Sequence, residues 1–192
     1  MKILVLGKMK SPITPVIRKT GCEVIESLDP VDRVLLEKNH INFIVSFGCR
    51  HIIKKSVLEY LPDRVINLHI SYLPWNRGAD PNLWSFLEDT SKGVSIHYID
   101  EGIDTGDIIA QKRVSLDENS ETLATSYDKL EMCIIELFKE TWPNIIANNV
   151  HRLKQRGAGS FHKTGDKSKH MNLLTDGWNT EVKKLIGAAL IK

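Results

Sequence analysis

Residues 42–69 read NFIVSFGCRHIIKKSVLEYLPDRVINLH and predict a strand, a helix and a second strand. The run 42–47 is apolar and rich in β-branched residues, which favours a buried strand that ends at Gly48. We expect a helix over His51–Tyr60 and a strand over 65–69. Because strands that alternate with helices form parallel sheets, we expect an α/β fold with helices on both faces of the sheet.

The N-terminal part of the chain continues this alternation. The expected elements are a strand over Lys2–Gly7, a helix over Pro12–Thr20, a strand over Cys22–Ile25 and a helix that opens at Asp29-Pro30 and ends near Asn39. Asp is a common N-cap residue and Pro suits the first helical turn. The second of these helices is expected to bury Val34 and Leu35, and Val31 with them.

Beyond residue 69 the pattern changes from parallel to antiparallel. The expected elements are a loop over Pro74–Pro81, a short helix over Asn82–Glu88, and strands over Gly93–Ile99 and Asp107–Val114. Two strands joined by a short Gly-rich turn are expected to pair antiparallel. The sheet is therefore predicted to be mixed and mostly parallel.

A long amphipathic helix is expected after Ser120, which is a plausible cap. Its apolar stripe has helical spacing and consists of Leu123, Tyr127, Leu130, Ile134 and Leu137. We expect it to end near Asn148, and we expect a terminal helix over Asn179–Ile191. The predicted organisation is a main domain over residues 1–150, followed by a short C-terminal extension over 151–192 that packs on it.

Composition excludes several protein classes. The chain has 192 residues, 42% of them hydrophobic, and a formal net charge of +2. These values are typical of one globular domain. The sequence shows neither an apolar run of about 18 residues nor a signal peptide, so we expect no membrane association and a cytoplasmic location. Cys22, Cys49 and Cys133 are too widely spaced for a metal site or a disulfide framework, and we expect thiols in a reducing compartment.

Residues 152–169 form a basic stretch. They include six Lys or Arg residues and Asp166 as the single acidic residue, a local charge of +5. A solvated surface explains such a stretch, and so does a nearby phosphate-bearing small molecule. The chain as a whole lacks the strong basic surface of a nucleic-acid-binding protein, so no nucleic-acid partner is expected.

Candidate site residues follow three of the predicted strands, where open α/β sheets bind their ligands. Asn67 and His69 project from one face of a strand, because they are two positions apart. The segment 100–107 holds four carboxylates, and its spacing excludes an EF-hand. The seven His residues show no H-x-x-x-H pattern, so no metal site is expected.

Three segments form a combined pattern. The first is Asn67-Leu68-His69-Ile70-Ser71-Tyr72-Leu73-Pro74, and the second is Arg77-Gly78. The third covers residues 93–106 and ends in Asp100-Glu101-Gly102-Ile103-Asp104-Thr105-Gly106. Together they resemble the 10-formyltetrahydrofolate-dependent formyltransferase family. That family includes phosphoribosylglycinamide, methionyl-tRNA and sugar N-formyltransferases. The resemblance covers residues 40–125 well and implies a Rossmann-like formyltransferase fold.

The resemblance also implies roles for single residues. The catalytic Asn, His and Asp of the family fall on Asn67, His69 and Asp104. The implied cofactor-binding residues, which surround the pterin of 10-formyltetrahydrofolate largely with backbone, are Gly48, Cys49, Arg50, His51, Ile53, His97, Asp100, Gly102 and Ile103. The residues expected to contact the acceptor substrate are Lys8, Lys10, Ser71, Trp75, Arg77 and Gly78.

The implied chemistry is acyl transfer. An amine attacks the formyl carbon directly, and a tetrahedral intermediate forms with charge on its oxygen. Asn67 and protonated His69 are expected to stabilise that charge, and Asp104 to favour the imidazolium and help remove the proton of the amine. This chemistry needs no covalent enzyme intermediate, so Cys49 is expected to line the pocket rather than act as a nucleophile.

The acceptor amine is less defined than the chemistry. Phosphoribosylglycinamide formyltransferases hold ribose phosphate on a Gly-Ser-Asn loop, whereas this chain has Lys8-Met9-Lys10 after Gly7. Residues 73–82 resemble a loop of the sugar N-formyltransferases, so we expect a nucleotide-linked amino deoxysugar and allow for a homodimer. The alternatives are glycinamide ribonucleotide as acceptor, 10-formyltetrahydrofolate hydrolysis, and a folate-binding protein without turnover.

Overall fold

The computed structural model describes residues 1–190 and contains a six-stranded and a two-stranded sheet. In chain order, the strands are β1 (Lys2–Leu6), β2 (Glu23–Ser27), β3 (Phe43–Phe47), β4 (Val65–His69), β5 (Arg77–Gly78), β6 (Gly93–Tyr98), β7 (Ile108–Arg113) and β8 (Phe161–His162). The α-helices are α1 (Thr14–Arg18), α2 (Arg33–Asn39), α3 (Lys55–Tyr60), α4 (Pro81–Leu87) and α5 (Leu123–Ile146). Short 3₁₀ helices cover Asp166–Leu173, Gly177–Asn179 and Val182–Lys184.

The large sheet has the order β2-β1-β3-β4-β6-β7, and β5 pairs with β8 in the small one. Strands β2, β1, β3 and β4 run parallel. Strand β6 is antiparallel to β4. Ile99, which directly follows β6, donates its N–H to the carbonyl of Val65, the first residue of β4, at 2.9 Å. The expected mixed, mostly parallel sheet is therefore confirmed.

The described chain divides into two compact units. The first comprises Met1–His69, Ile96–Ala110 and Ile135–Lys154, and the second comprises Ile70–Ser95, Gln111–Ile134 and the described residues from Gln155 on. In the first unit, β1 and β3 bury Leu4, Leu6 and Ile44 against Leu36 of α2 and Val57 of α3. This packing gives β3 and β4 a rigid support. The predicted division of the chain at residue 150 stays a prediction.

The core of the second unit joins α4 to the C-terminal residues. Leu83, Phe86 and Leu87 of α4 pack with Val182 and Leu185, all of them almost fully buried. The expected terminal helix over 179–190 is wrong, and residue 191 lies outside the described part of the chain. Gly187 and Ala189 donate their N–H groups to the carbonyls of Phe86 and Leu87 at the end of α4, while Ala188 and Leu190 make short-range turn bonds to Leu185 and Gly187. The bonds to α4 alternate with these turns and replace a continuous α-helical ladder.

Three further helix predictions need correction. Helix α2 begins at Arg33, because Asp32 rather than Asp29 accepts the capping bond from Leu35 N–H at 2.8 Å. Its buried residue is Leu36, while Val34 is 69% exposed. Helix α3 begins at Lys55 rather than at His51.

Helix α5 buries most of its predicted stripe, but Tyr127 is 40% exposed. Ser126 is buried in its place and donates a hydrogen bond to the Leu123 carbonyl at 3.1 Å. A second buried contact is from Asn82 Nδ2 to the hydroxyl of Ser126 at 3.0 Å. The helix ends at Ile146, shortly before the predicted end.

Candidate active site

Strand β4 presents Asn67 and His69 on one face, because side chains two positions apart in a strand point the same way. The strand lies between β3 and β6 in the sheet, so its backbone is hydrogen-bonded on both sides. His69 is buried, with a side-chain exposure of 7%. Both polar groups therefore have a rigid support.

Asp104 reaches these two side chains from the loop between β6 and β7. Its Oδ1 accepts a hydrogen bond from Asn67 Nδ2 at 3.1 Å, and its Oδ2 lies 3.6 Å from His69 Nδ1. The backbone of Asp104 has a φ of 52°, in the left-handed region that residues other than glycine rarely adopt. The structure thus brings the three predicted catalytic residues together, and the carboxylate stabilises the charged form of His69.

Contacts within the loop 99–107 set its shape. Asp100 Oδ1 accepts hydrogen bonds from Gly102 N–H at 3.0 Å and from the hydroxyl of Thr105 at 2.6 Å. Gly106 touches the carbonyl of Tyr98, and a Cβ at Gly106 would lie 1.9 Å from that oxygen. The D-x-G-x-D-T-G pattern therefore encodes a loop conformation as well as the predicted catalytic carboxylate.

His97 lies on β6 and contacts Asn67 and Asp104. Its Nδ1 is 2.8 Å from the carbonyl of Tyr98, and because a carbonyl only accepts, Nδ1 carries a proton. Its Nε2 is 3.3 Å from both Asn67 Nδ2 and Asp104 Oδ1. A neutral ring accepts from Asn67, and a charged ring donates to Asp104. Sequence reasoning assigned His97 to the pterin, and that role stays a prediction.

The predicted pterin segment follows β3, which lies beside β4 with Phe47 opposite Leu68. Gly48 adopts a φ of 73°, Ile53 is buried, and the residues exposed to solvent are Gly48, Arg50, His51 and Ile52. The half-buried Cys49 lies with its sulfur 3.6 Å from the carbonyl of His51. Ile52 is 79% exposed.

The first loop of the fold contains two of the predicted acceptor contacts. Lys8 places its Nζ 4.4 Å from the ring centroid of Phe47. Lys10 is exposed and donates its backbone N–H to Glu26 Oε2 at 2.7 Å. Gly7 precedes both, and a Cβ there would lie 2.3 Å from the backbone N of Cys49. The loop therefore packs directly on the backbone of the predicted pterin segment.

The remaining predicted acceptor contacts lie in the second unit. Ser71 is buried and donates to the carbonyl of Trp75, and the guanidinium of Arg77 binds Gln155 Oε1 at 2.9 and 3.1 Å. A Cβ at Gly78 would lie 2.3 Å from the carbonyl of His162, so the pairing of β5 with β8 requires glycine. Ser71, Arg77 and Gly78 thus hold the loop in shape.

Trp75 differs from these three residues because it is 38% exposed. It lines a cavity of about 550 Å³ in the second unit. The other walls are formed by acidic and hydroxyl side chains, by glycine and by leucine, and the main ones are Glu88, Asp89, Thr90, Ser91 and Ser160.

A cavity of about 330 Å³ adjoins the loop 99–107 in the first unit. It combines apolar and polar walls, among them Leu58, Leu61, Val65, Ile99, Asp100 and Gly106. Sequence reasoning found Asp100 but missed the apolar walls from α3 and β4, because a buried strand residue and a cavity-lining one look alike in sequence.

Arg152 also borders this cavity, and the sequence patterns did not single it out as a site residue. Its Nη1 is 2.6 Å from Asp63 Oδ1 and its Nε is 3.3 Å from Asp107 Oδ2. Burial alone lowers the pKa of Arg152, but Asp63, Tyr98 and Asp107 raise the pKa above its usual value. Burial also raises the pKa of Tyr98. The sequence marked Arg152 only as a member of a basic stretch.

Among residues 1–190, no group of three or more His, Cys, Asp or Glu side chains is arranged to hold a metal ion. Within the same residues, no helix combines the length and the apolar character needed to cross a bilayer.

Comparisons with known proteins relate this geometry to enzymes. One relative is the methionyl-tRNA formyltransferase of Bacillus velezensis, 34% identical over 134 residues, which are 69% of this chain and 41% of that protein. The chain therefore spans less than half the length of this curated relative. The N-formyltransferase of Helicobacter canadensis, solved with folinic acid and dTDP-3-aminofucose, has the same fold at 24% identity, with a TM-score of 0.73 over 100% of this chain and 81% of that one.

A closer similarity covers a complete solved chain. The formyltransferase PseJ from Anoxybacillus kamchatkensis was solved in complex with UDP-4,6-dideoxy-4-formamido-L-AltNAc and tetrahydrofolate. It is 49% identical to this chain, with a TM-score of 0.94 over 98% of this chain and 100% of that one. The formyl transferase family model matches residues 4–139. The chain thus belongs to the formyl transferase family.

Proposed function

We propose that this protein transfers the formyl group of 10-formyltetrahydrofolate to the amine of a nucleotide-linked amino deoxysugar. The observation that carries the proposal is the convergence of Asn67, His69 and Asp104 through one carboxylate. The similarity to PseJ supports it, because that enzyme was solved with tetrahydrofolate and a UDP-linked formamido sugar and is matched over its complete length. A homodimer and a cytoplasmic location stay predictions.

The residues around the catalytic loop suit a flat heterocycle with an apolar body and polar edges. The cavity in the first unit has apolar walls from Leu58, Val65 and Ile99 and a polar wall from Asp100. Ile103 in the loop is 44% exposed, so it can pack on a bound ring. Bound 10-formyltetrahydrofolate supplies an electrophilic formyl carbon. The backbone groups of residues 100–104 and 48–53 are proposed to form hydrogen bonds with the polar edge of the pterin ring of 10-formyltetrahydrofolate.

Asn67 and His69 stabilise negative charge on the formyl oxygen during attack by the amine. Asp104 accepts a hydrogen bond from one of the two N–H groups of Asn67 Nδ2, and the second is left for the formyl oxygen when His97 is charged and donates to Asp104. Protonated His69 provides a charged donor. Each preorganised donor of this kind contributes about 3 kcal/mol to the transition state in acyl-transfer enzymes. Because both residues lie on β4, their separation is set before the substrates bind.

Asp104 has two tasks in the proposed reaction. Its Oδ2 favours the imidazolium of His69, and its charge allows it to take a proton from the attacking amine, directly or through water. Asp104 also orients Asn67 by accepting from Nδ2. A neutral Asn at this position would keep the shape and lose both electrostatic tasks.

The proposed acceptor class rests on features outside the catalytic cluster. Trp75 lines a cavity whose other walls provide hydroxyl and carboxylate groups. An aromatic face with polar neighbours is suited to a sugar ring or a nucleobase. Lys8 and Lys10 provide positive charge for a diphosphate. These residues support a nucleotide sugar over an acceptor without a large polar ring.

The test is an acceptor panel. The purified chain is mixed with 10-formyltetrahydrofolate and, separately, with UDP-, dTDP- and GDP-linked amino deoxysugars or with glycinamide ribonucleotide. We expect tetrahydrofolate to be released with at least one nucleotide amino sugar, and Trp75→Ala to raise the KM for that sugar while kcat changes less.

Three outcomes would contradict parts of the proposal. Release only with glycinamide ribonucleotide would replace the acceptor and keep the chemistry. Release without any acceptor would indicate hydrolysis. Binding of tetrahydrofolate without turnover of any acceptor would favour a folate-binding protein.

A further inference from the structure

Arg152 contacts both ends of the loop that carries Asp104. Its Nη1 donates to Asp63 Oδ1 at 2.6 Å, and its Nε lies 3.3 Å from Asp107 Oδ2. The guanidinium carbon lies 4.2 Å from the ring centroid of Tyr98. Tyr98 directly precedes the loop and Asp107 is its last residue. The side chain of Arg152 therefore contacts the chain at both ends of the loop.

The backbone next to Arg152 is bound to the same place. Leu153 N–H donates to the Ile108 carbonyl at 2.9 Å, and Ile108 N–H donates back to the Leu153 carbonyl at 2.8 Å. Ile108 is the first residue of β7 and directly follows the loop. The two backbone hydrogen bonds between Leu153 and Ile108 therefore fix the backbone of Arg152 beside the end of the loop, in addition to the contacts of its side chain.

The loop transmits this restraint to Asp104. Its ends meet, because Tyr98 N–H donates to the Asp107 carbonyl at 2.9 Å and Gly106 packs on the Tyr98 carbonyl. Asp104 lies three residues from this junction, in a left-handed conformation that its surroundings must maintain. A shift at the junction therefore moves the carboxylate relative to Asn67.

We propose that Arg152 is a positioning residue for formyl transfer, which fixes the catalytic loop through Tyr98 and Asp107 and so places the carboxylate of Asp104. This proposal rests on the function proposed above. It also gives a role to one member of the basic stretch 152–169, whose charge neither the fold nor the acceptor explained.

A different role for Arg152 would be direct binding of the glutamate carboxylates of the folate donor, because it borders the cavity beside the loop. The contacts favour positioning. Asp63 and Asp107 already neutralise the guanidinium, and Tyr98 packs on it. The carboxylates of Asp63 and Asp107 would repel the glutamate carboxylates of a folate, so an arginine that bound the folate would not be expected between them.

The test compares Arg152→Ala with Arg33→Ala. Arg33 is a matched control, because it also binds a carboxylate at 2.6 Å, that of Glu37, and lies 5.4 Å from a tyrosine ring, that of Tyr60. It lies on α2, outside the site. Asp63→Asn is a milder variant, because Asp63 is exposed and lies outside the loop.

For Arg152→Ala we expect kcat to fall by about 10-fold or more, since small displacements of catalytic groups have effects of this size. The acceptor KM and the dissociation constant of tetrahydrofolate should change by less than about 3-fold, as expected when an interaction made only in the transition state is lost. Asp63→Asn should lower kcat in the same direction and by less. Added guanidinium chloride at low concentration should restore part of the activity of Arg152→Ala.

Amide hydrogen exchange provides a readout that needs no turnover. Residues 99–107 should exchange several-fold faster in Arg152→Ala than in the wild-type protein, and Arg33→Ala should leave them unchanged. If the wild-type chain transfers no formyl group to any acceptor, the proposed function fails, and this exchange measurement still tests the restraint.

Several results would overturn the positioning role. One is unchanged kcat in a folded Arg152→Ala, and another is an equal loss in Arg33→Ala. Unchanged exchange over residues 99–107 would be a third. A rise in donor KM that disappears with 10-formyltetrahydropteroate, which lacks the glutamate, would assign Arg152 to donor binding instead.

Discussion

At the scale of single residues, one carboxylate organises the site. Asp104 uses one oxygen for Asn67 and the other for His69, so the amide and the imidazole have fixed directions before a ligand binds. His97 adds a third contact at 3.3 Å to both Asn67 and Asp104. The proposed catalytic residues are thus part of a connected polar cluster, whose members depend on one another.

This connectivity predicts the effect of removing its members. Asn67→Ala and Asp104→Ala should each lower kcat by about 100-fold or more, because each removes charge stabilisation or its orientation. Asp104→Asn should be nearly as damaging, since it keeps the shape and loses the charge. Steady-state kinetics of tetrahydrofolate release measures all three.

A matched control for this prediction is Asp128→Ala on the exposed face of α5. It should keep wild-type kinetics, and all variants should keep the wild-type circular dichroism spectrum. Full activity in folded Asn67→Ala or Asp104→Ala would remove the proposed mechanism.

The residues of this cluster differ in how far the sequence could predict them. Asn67 and His69 were predictable from their spacing, because alternation in a strand is a local property. That Asp104 contacts Asn67 could not come from spacing, because the two are 37 residues apart and meet only when the loop folds back. The family resemblance suggested the grouping, and the left-handed φ of Asp104 shows how the loop achieves it.

At the scale of elements, the loop between β1 and α1 depends on one side chain of β2. Glu26 accepts hydrogen bonds from Lys10 N–H, Ser11 N–H and the hydroxyl of Thr14, at 2.7, 2.9 and 2.5 Å. Burial alone raises the pKa of Glu26, but these hydrogen bonds outweigh it and lower the pKa below its ordinary value of 4.5. The ionised carboxylate therefore stabilises the folded loop.

The sign of the pH dependence follows from this lowered pKa. Glu26 stabilises the fold fully above the unfolded pKa of 4.5, and the contribution is lost as the pH falls through the lower folded-state pKa. Glu26→Gln should lower the free energy of unfolding at pH 7 by about 1 kcal/mol, the typical net value of a lost hydrogen bond. The difference from the wild-type protein should shrink below pH 4.5. Urea unfolding at several pH values measures it.

Glu23→Gln provides the control from the same strand, since Glu23 is 78% exposed and lies 3.9 Å from Lys2. It should leave stability and its pH dependence nearly unchanged. Equal effects of both substitutions, or an effect of Glu26→Gln that grows in acid, would contradict the role of Glu26.

At the scale of the whole molecule, the C-terminal residues belong to a core. Val182 and Leu185 are fully buried against Leu83, Phe86 and Leu87 of α4. The sequence predicted a helix here from the apolar spacing of Val182, Leu185, Ile186 and Leu190. Val182 and Leu185 are buried, whereas Leu190 is 64% exposed. The conformation differs because the N–H groups of Gly187 and Ala189 bond to carbonyls of α4. A local sequence pattern cannot predict partners that lie so far away along the chain.

This packing predicts that the C-terminal residues stabilise the protein. Leu185→Ala should lower the free energy of unfolding by about 2–5 kcal/mol, the usual cost of a buried Leu-to-Ala cavity. Met171→Ala, at a residue that is 48% exposed, should cost far less. Denaturant unfolding of both variants checks this, and equal stability would show that Leu185 is not a core residue.

Local periodicity and turn signals in the sequence were enough to predict the order of the elements of the large sheet, its mixed character and the positions of Asn67 and His69. They did not predict the small sheet of β5 and β8 or the conformation of the C-terminal residues. The sequence also carried the motifs by which the family could be recognised. Only the tertiary structure decided which distant groups meet, as Arg152 and Asp63 do across 89 positions. The physical reason is that such contacts depend on strand pairing and on the path of loops, which no local pattern of residues encodes.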